Sequence, residues 1–200
     1  PLQMGATVFI AQSGILPRLH EFWALHPEVK VSVMPSQELH DITEMGYDLA
    51  IRATEKEPDW PDMNVELLAK CDVIGAGAPN LVNDDMPPLD QLPWIWSAGV
   101  GYEERAIRSF GLDPETLTNV DVGAPFLQLH LARQGLGITF ATELIVRQDL
   151  ASGQLRRISA SSPVVVSYYI VTPKGPVRPA AAAFIAWLKK VARELPDPAP

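Results

Sequence analysis

The chain has 200 residues, 47% of them hydrophobic and 20% charged, and its 24 acidic against 16 basic residues give a formal net charge of −8. A chain of this length hides roughly 70% of its unfolded surface, enough for one large domain or two small ones. The acidic balance, with no basic run denser than "LKK" at Leu188–Lys190, argues against these residues gripping nucleic acid by themselves, because phosphate contacts dominate such affinity.

A single cysteine, Cys71, excludes an internal disulfide framework and fits a reducing compartment. No apolar run is long enough to span a bilayer, and no secretory leader is recognisable in the residues given. The chain opens on Pro1 rather than Met, so an upstream segment is expected: a leader, a tag or a whole domain. Of nineteen prolines, three fall in the last five residues, and 196–200 is expected to be a disordered tail.

Strand-like and helix-like stretches alternate from the start. "LQMGA" predicts a strand. "ILPRLHEFWALH" predicts a helix with Leu16, Leu19, Phe22 and Trp23 on one face and Pro17 in its first turn. "VKVSVM" alternates as a strand, "ELHDITEM" is a short helix stopped by Gly46, and "DLAIR" is a third strand. This β-α-β-α-β order is the unit of a parallel sheet covered by helices.

After a Pro- and charge-rich loop over 53–64, "VELLAKCDVIGAG" predicts two strand segments meeting around Ala69 to Asp72. "LPWIW", "LTNVDV" and "GITFA" predict strands; "YEERAIRSFG", "APFLQLHLARQG" and "TELIVRQDLASG" predict helices between and after them. "VVVSYYIV" is a long β-branched and aromatic strand. The closing helix "RPAAAAFIAWLKKVAREL" carries Ala183, Phe184, Trp187, Leu188 and Val191 at core spacing. That helix must bury its apolar face, and the economical place is against the first block. Two lobes follow, residues 1–70 with 171–195 and residues 71–170, with the chain crossing near Cys71 and near Tyr169.

Catalytic signatures are missing. His20 and His26 in "HEFWALH" stand six apart, about 240° round a helix, and cannot share a metal as an i, i+4 pair can. "GAGAPN" lacks the third glycine of a dinucleotide fingerprint and reads as a turn. There is no phosphate-binding loop and no nucleophile elbow. Cys71 reads as a small buried thiol, and His130 as a packed or surface histidine. No cofactor and no metal site is expected, and no enzyme.

In open α/β sheets, ligands bind beyond the carboxyl ends of strands where strand order reverses. Those positions are Thr7 and Val8 after the first strand, Pro35 and Ser36 after the second, and Arg52 and Ala53 after the third. In the second block they are Ser97, Ala98 and Gly99, then Gly123 and Ala124, then Thr142. Hydroxyls and small residues beside helix N-termini suit a small polar or carboxylated ligand. Arg52 can offer a planar fork to a carboxylate, or pair instead with Asp48, Glu55 or Glu57. The hydroxyls can equally be simple helix caps.

Several runs together resemble the effector-binding (substrate-binding) domain of LysR-type transcriptional regulators, and most nearly its glycine-cleavage-activator subgroup. They are "LPRLHEFWALHPEVKVSV" (Leu16 to Val33), "GYDLAIR", "WPDMNVELL", Pro79, "LARQGLGITF", "LASGQL", "SYYIVTP" and "RPAAAAFIAWL". The chain departs from that pattern at Gly14, in "CDVIGAGAPN" and in the short "WSAGVG".

The resemblance implies a type 2 periplasmic-binding-protein-like α/β fold of two Rossmann-like lobes with a ligand cleft between them. It also implies an N-terminal winged helix-turn-helix outside these residues, the sole route to DNA. A homodimer or homotetramer in the bacterial cytoplasm, a small-molecule effector and no membrane partner complete the expectation. By position, Thr7, Ser36, Arg52, Ser97 and Gly123 match the family's cleft-lining residues. The competing readings are a solute-binding protein of a transport system and an enzyme on this fold, such as a dehydratase of prephenate type.

Overall fold

The computed structural model describes residues 1–36, 38–97 and 101–194, except for the side chains of 159–163. The chain divides into two compact units, Pro1–Cys71 with Val166–Pro200, and Asp72–Val165. The first crossing falls one residue beyond the expected 70/71 boundary. The return falls five residues before the expected 171, inside the same strand. The proposed tail, 196–200, lies outside the described residues.

Unit 1 is built on three parallel strands, β1 (Leu2–Ala6), β2 (Val31–Pro35) and β3 (Leu49–Thr54), in the order β2-β1-β3. Met4 faces Val33 on one side and Leu49 on the other. The last part of β8 (Arg156–Pro173) adds antiparallel to β3, with Arg52 opposite Tyr169. Leu49, Ala50 and Ile51 are buried, as strands of a sheet covered on both faces require.

After β1 come one turn of helix, α1 (Val8–Ile10), a π turn over Ala11–Ile15 and a 3₁₀ turn over Leu16–Arg18. Only then does α2 (Leu19–Leu25) begin. This corrects the helical face expected from the sequence. Leu19 and Phe22 are buried, but Leu16 and Trp23 are exposed. Changes of winding ahead of α2 shift the angular register, so spacing counted at 3.6 residues per turn misplaces Leu16.

The helix α3 (His40–Glu44) ends at Gly46, whose φ of +67° is the left-handed conformation that glycine adopts without strain. The closing helix α7 (Pro179–Arg193) belongs to unit 1. Its Phe184 and Trp187 pack on Phe22 of α2, with ring centroids 4.9 and 5.8 Å away. Ala183 is only half-buried; Ala181 and Ala192 join Phe184, Trp187, Leu188 and Val191 in the core.

The expected pair of strand segments is one strand, β4 (Met63–Gly77), which runs on without a break through Lys70, Cys71 and Asp72. Unit 2 pairs the end of β4 antiparallel with β7 (Thr139–Thr142), Ile74 opposite Ala141. Beside them lie β5 (Trp94–Trp96) and β6 (Asn119–Asp121), parallel to each other, with Trp96 opposite Asp121. A parallel bridge between Trp94 and Ile138 joins β5 to the residue before β7. Around these strands stand α4 (Gly101–Ser109), α5 (Pro125–Arg133) and α6 (Glu143–Ser152). Trp94 and Phe140 stack at 5.4 Å in this unit's core. Among the described residues no helix is long and apolar enough to cross a membrane.

Candidate functional site

The order β2-β1-β3 places a topological switch point between β1 and β3 in unit 1, because one connection leaves β1 to one side and the next returns to the other. Three of the expected residues meet around it. Ser36 follows β2, is buried, and its N–H donates to the Ala6 carbonyl at the end of β1 at 2.9 Å. Thr7 follows β1 and caps α1, its Oγ1 accepting from Ile10 N–H at 3.3 Å. Arg52 is 4% exposed, and its Nη2 donates to Ser36 Oγ at 2.6 Å and to the Glu38 carbonyl at 2.7 Å.

Arg52 and Ala53 do not follow the third strand. They lie inside it, because β3 continues to Thr54 along its antiparallel partner β8. Ala53 is exposed, as are Val8 and Pro35. The carboxylates named as alternative partners of Arg52 are not its partners. Asp48 accepts instead from Gln3 N–H at 2.9 Å and pairs with Arg178 at 3.0 Å. Arg52 Nη1 donates to the Ile51 carbonyl at 3.0 Å, and its Nε is buried with no hydrogen-bond partner.

Ser36 relays this contact, since its hydroxyl donates to Asp41 Oδ2 at 2.8 Å. Burial pushes the Arg52 guanidinium below its usual pKa, and the negative charges of Asp41 and Glu38 act the other way. The arrangement is a buried cation that fixes the loop after β2 and keeps one N–H unspent.

Unit 2 gathers the other expected residues at the carboxyl ends of parallel strands. Ser97 follows β5, Gly123 and Ala124 follow β6, and Thr142 ends β7. Ser97 and Thr142 are buried, Gly123 is exposed and Ala124 is half-buried as the residue before α5. Thr142 stands at the start of α6, and its side chain makes no capping bond there. Ala98 and Gly99 lie outside the described residues.

Sequence reasoning missed the polar group behind Ser97. Glu103 of α4 is buried and its Oε2 accepts from Ser97 N–H at 3.0 Å. Gln128 of α5, also buried, donates to Glu103 Oε1, and its Nε2 lies 3.1 Å from the Ile95 carbonyl and 3.2 Å from Thr139 Oγ1. Burial pushes the Glu103 carboxyl up to about 7; the Gln128 and Ser97 donors oppose the rise and the nearby Asp121 charge adds to it. A signal was there, since Glu103 shares the i, i+3, i+4 face of α4 with buried Ala106 and Ile107. No group of three or more His, Cys, Asp or Glu side chains among the described residues could hold a metal ion.

The family model for the LysR substrate binding domain matches residues 1–193. The chain belongs to this family. It is 32% identical over 183 residues to the AhcY transcriptional activator HvrB of Rhodobacter capsulatus, covering 90% of this chain and 62% of the relative. It is 26% identical to the HTH-type transcriptional activator AmpR of Pseudomonas aeruginosa, covering 96% of this chain and 66% of that protein. This LysR-family chain therefore spans about two thirds or less of the length of these curated relatives.

Among solved structures, the effector domain of Pseudomonas aeruginosa AmpR superposes with a TM-score of 0.74 at 24% identity, covering 96% of this chain and 94% of that one. The regulatory domain of CrgA, a LysR-type regulator of Neisseria meningitidis, gives 0.76 at 16% identity, covering 94% and 97%. These likenesses establish the type 2 periplasmic-binding-protein-like α/β fold. The chain is thus a LysR-type effector-binding domain, and the curated relatives are transcriptional regulators rather than enzymes or transport proteins.

Proposed function

We propose that this domain senses a small anionic or carboxylated metabolite for a LysR-type transcription factor of the bacterial cytoplasm. A homodimer or homotetramer relays the occupancy to a winged helix-turn-helix beyond these residues. The observation that carries the ligand class is Arg52: a buried guanidinium at the switch point of unit 1 with its Nε–H unpaired. A buried donor left without a partner costs about 1–3 kcal/mol, and an anion reaching it would recover that cost. Ser36 supplies a hydroxyl beside it, and Thr7 stands at the end of the neighbouring strand β1. The quoted sequence runs support the glycine-cleavage-activator subgroup. The transcriptional role of the relatives favours regulation over solute transport.

A thermal-shift screen against amino acids, aliphatic and aromatic carboxylates, sulfate and phosphate tests this reading. A ligand that binds only the folded chain adds about 2.7 kcal/mol at a hundredfold excess over its dissociation constant. Shifts from anions, lost in Arg52→Met, are expected. Shifts from neutral or cationic compounds alone would overturn the anionic class.

A further inference from the structure

Unit 2 contains a cavity of about 340 Å³ whose described lining residues all belong to that unit. Its apolar wall is Trp96 at the end of β5, Ile107 of α4 and Pro114. Its polar wall is almost wholly acidic. Glu103 and Glu104 come from α4, Glu115 from the loop before β6 and Asp121 from the end of β6. The one cation among the described lining residues, Arg108, is already held by both its Nε and Nη2 on Glu104 Oε1, at 3.0 and 2.8 Å.

Glu103 is what makes this more than an acidic surface. It is 4% exposed, yet among the described residues no Lys, Arg or His stands within ion-pair distance of it. Buried carboxylates are normally paired with a cation. The neutral donors Ser97 N–H and Gln128 use only part of its acceptor capacity. Trp96 adds an aromatic surface of the kind on which organic cations settle. A hard divalent ion would need several converging oxygen ligands, and no such group is present among the described residues.

We propose that this cavity is a ligand site for a small organic ammonium ion, its charge against Glu103 and Asp121 and its apolar body on Trp96 and Ile107. The site belongs to unit 2 alone and stands whether or not Arg52 of unit 1 meets an anionic effector.

Binding should tighten with pH. Glu103 must be ionised to take the cation, and burial holds its carboxyl near 7. The charged groups that line the cavity with it are Asp121 from β6, Glu115 from the preceding loop, and Glu104 and Arg108 on its own helix, while Gln128 from α5 and the Ser97 N–H donate to it; no histidine is among the described lining residues.

The test is calorimetric titration of the chain with phenethylamine, phenethyl alcohol and hydrocinnamate, which share a ring and differ in charge. The amine should bind at least about tenfold more tightly than the alcohol, and any binding of the carboxylate should survive Asp121→Asn and be lost in Arg52→Met. The affinity for the amine should rise about tenfold from about pH 6 to about pH 8, as Glu103 ionises. Glu103→Gln should abolish that pH dependence and Asp121→Asn should weaken the amine several-fold. Asp121 is exposed, so its variant tests the site even if Glu103→Gln folds poorly. Equal affinity for amine and alcohol, no saturable binding at millimolar amine, or wild-type affinity in Asp121→Asn would each overturn the proposal.

Discussion

Arg52 Nη2 meets Ser36 Oγ at 2.6 Å, and the same hydroxyl passes on to Asp41 Oδ2 at 2.8 Å. Strand β3, the loop after β2 and helix α3 are thereby tied through one oxygen. Ser36→Ala removes an acceptor from a buried guanidinium and a donor from Asp41. It should cost on the order of 1–3 kcal/mol. Arg52→Lys should cost a similar amount, because an ammonium cannot reproduce the planar fork. Urea unfolding of the two single variants and the double variant gives the coupling directly, expected at about 0.5–3 kcal/mol. Strict additivity would mean that the bond carries no energy.

The burial of Arg52 illustrates what the sequence could and could not reveal. "DLAIR" announces a buried strand through Leu49, Ala50 and Ile51, and β3 is there. The partners of its arginine lie fourteen and sixteen residues back, at Glu38 and Ser36. Periodicity states which face a residue occupies but not what it meets across a loop, and the obvious local acid, Asp48, is committed to Gln3 and Arg178. The sequence pattern of β4 predicts two segments, since Lys70 and Asp72 interrupt its apolar run; burial of Cys71 and Asp72 inside one strand reflects tertiary packing, which overrides local pattern. Gln128 escaped notice for the same reason. Flanked by leucines, it reads as the polar side of a helix, yet it is buried and bonded to three elements.

Gly5 sits in the middle of β1 with Tyr47 and Ser36 close above it. A Cβ there would come within 2.9 Å of the Tyr47 ring and 3.2 Å of Ser36 Cβ. Tyr47 is buried and cannot swing aside freely. Gly5→Ala should therefore cost about 1–3 kcal/mol by overpacking and loosen any anion bound at Arg52. Gly101→Ala is the control, since a Cβ at Gly101 meets nothing within 4 Å; a gain of up to about 1 kcal/mol is expected from the stiffer unfolded chain. Differential scanning calorimetry of both variants decides. A stable Gly5→Ala protein would show that the Tyr47 ring yields.

Asp48 and Arg178 form an ion pair whose two halves are unequal. The Asp48 side chain is 8% exposed and that of Arg178 is 61% exposed. Asp48 also accepts the Gln3 N–H at 2.9 Å. Asp48→Ala strands that N–H and should cost about 1–3 kcal/mol. Arg178→Ala removes only the exposed half of the pair and should cost about 1 kcal/mol or less. The order is the prediction, read from guanidinium unfolding midpoints. A larger loss in Arg178→Ala would place the energy in the charge pair rather than in the backbone bond.

Glu103 makes stability fall with rising pH. Its carboxyl has an ordinary value near 4.5 and is raised to about 7 in the folded chain. The folded state therefore holds a proton that the unfolded chain releases through this interval. The protonated form is favourable below the lower value, and that stability is lost as pH rises through the upper one. By about 1.4 kcal/mol per pKa unit, the loss amounts to roughly 3 kcal/mol. Other groups titrate in the same range, so the quantity to measure is the difference in unfolding free energy between Glu103→Gln and the natural chain. A glutamine at this position can still accept the Ser97 N–H, but its amide opposes that of Gln128. That clash offsets the whole curve without sloping it. The difference should move in favour of the glutamine variant by roughly 3 kcal/mol between about pH 5 and about pH 8. A difference that stays flat would show that water or a rearranged Gln128 solvates the carboxylate, and that Glu103 ionises at no cost to the fold.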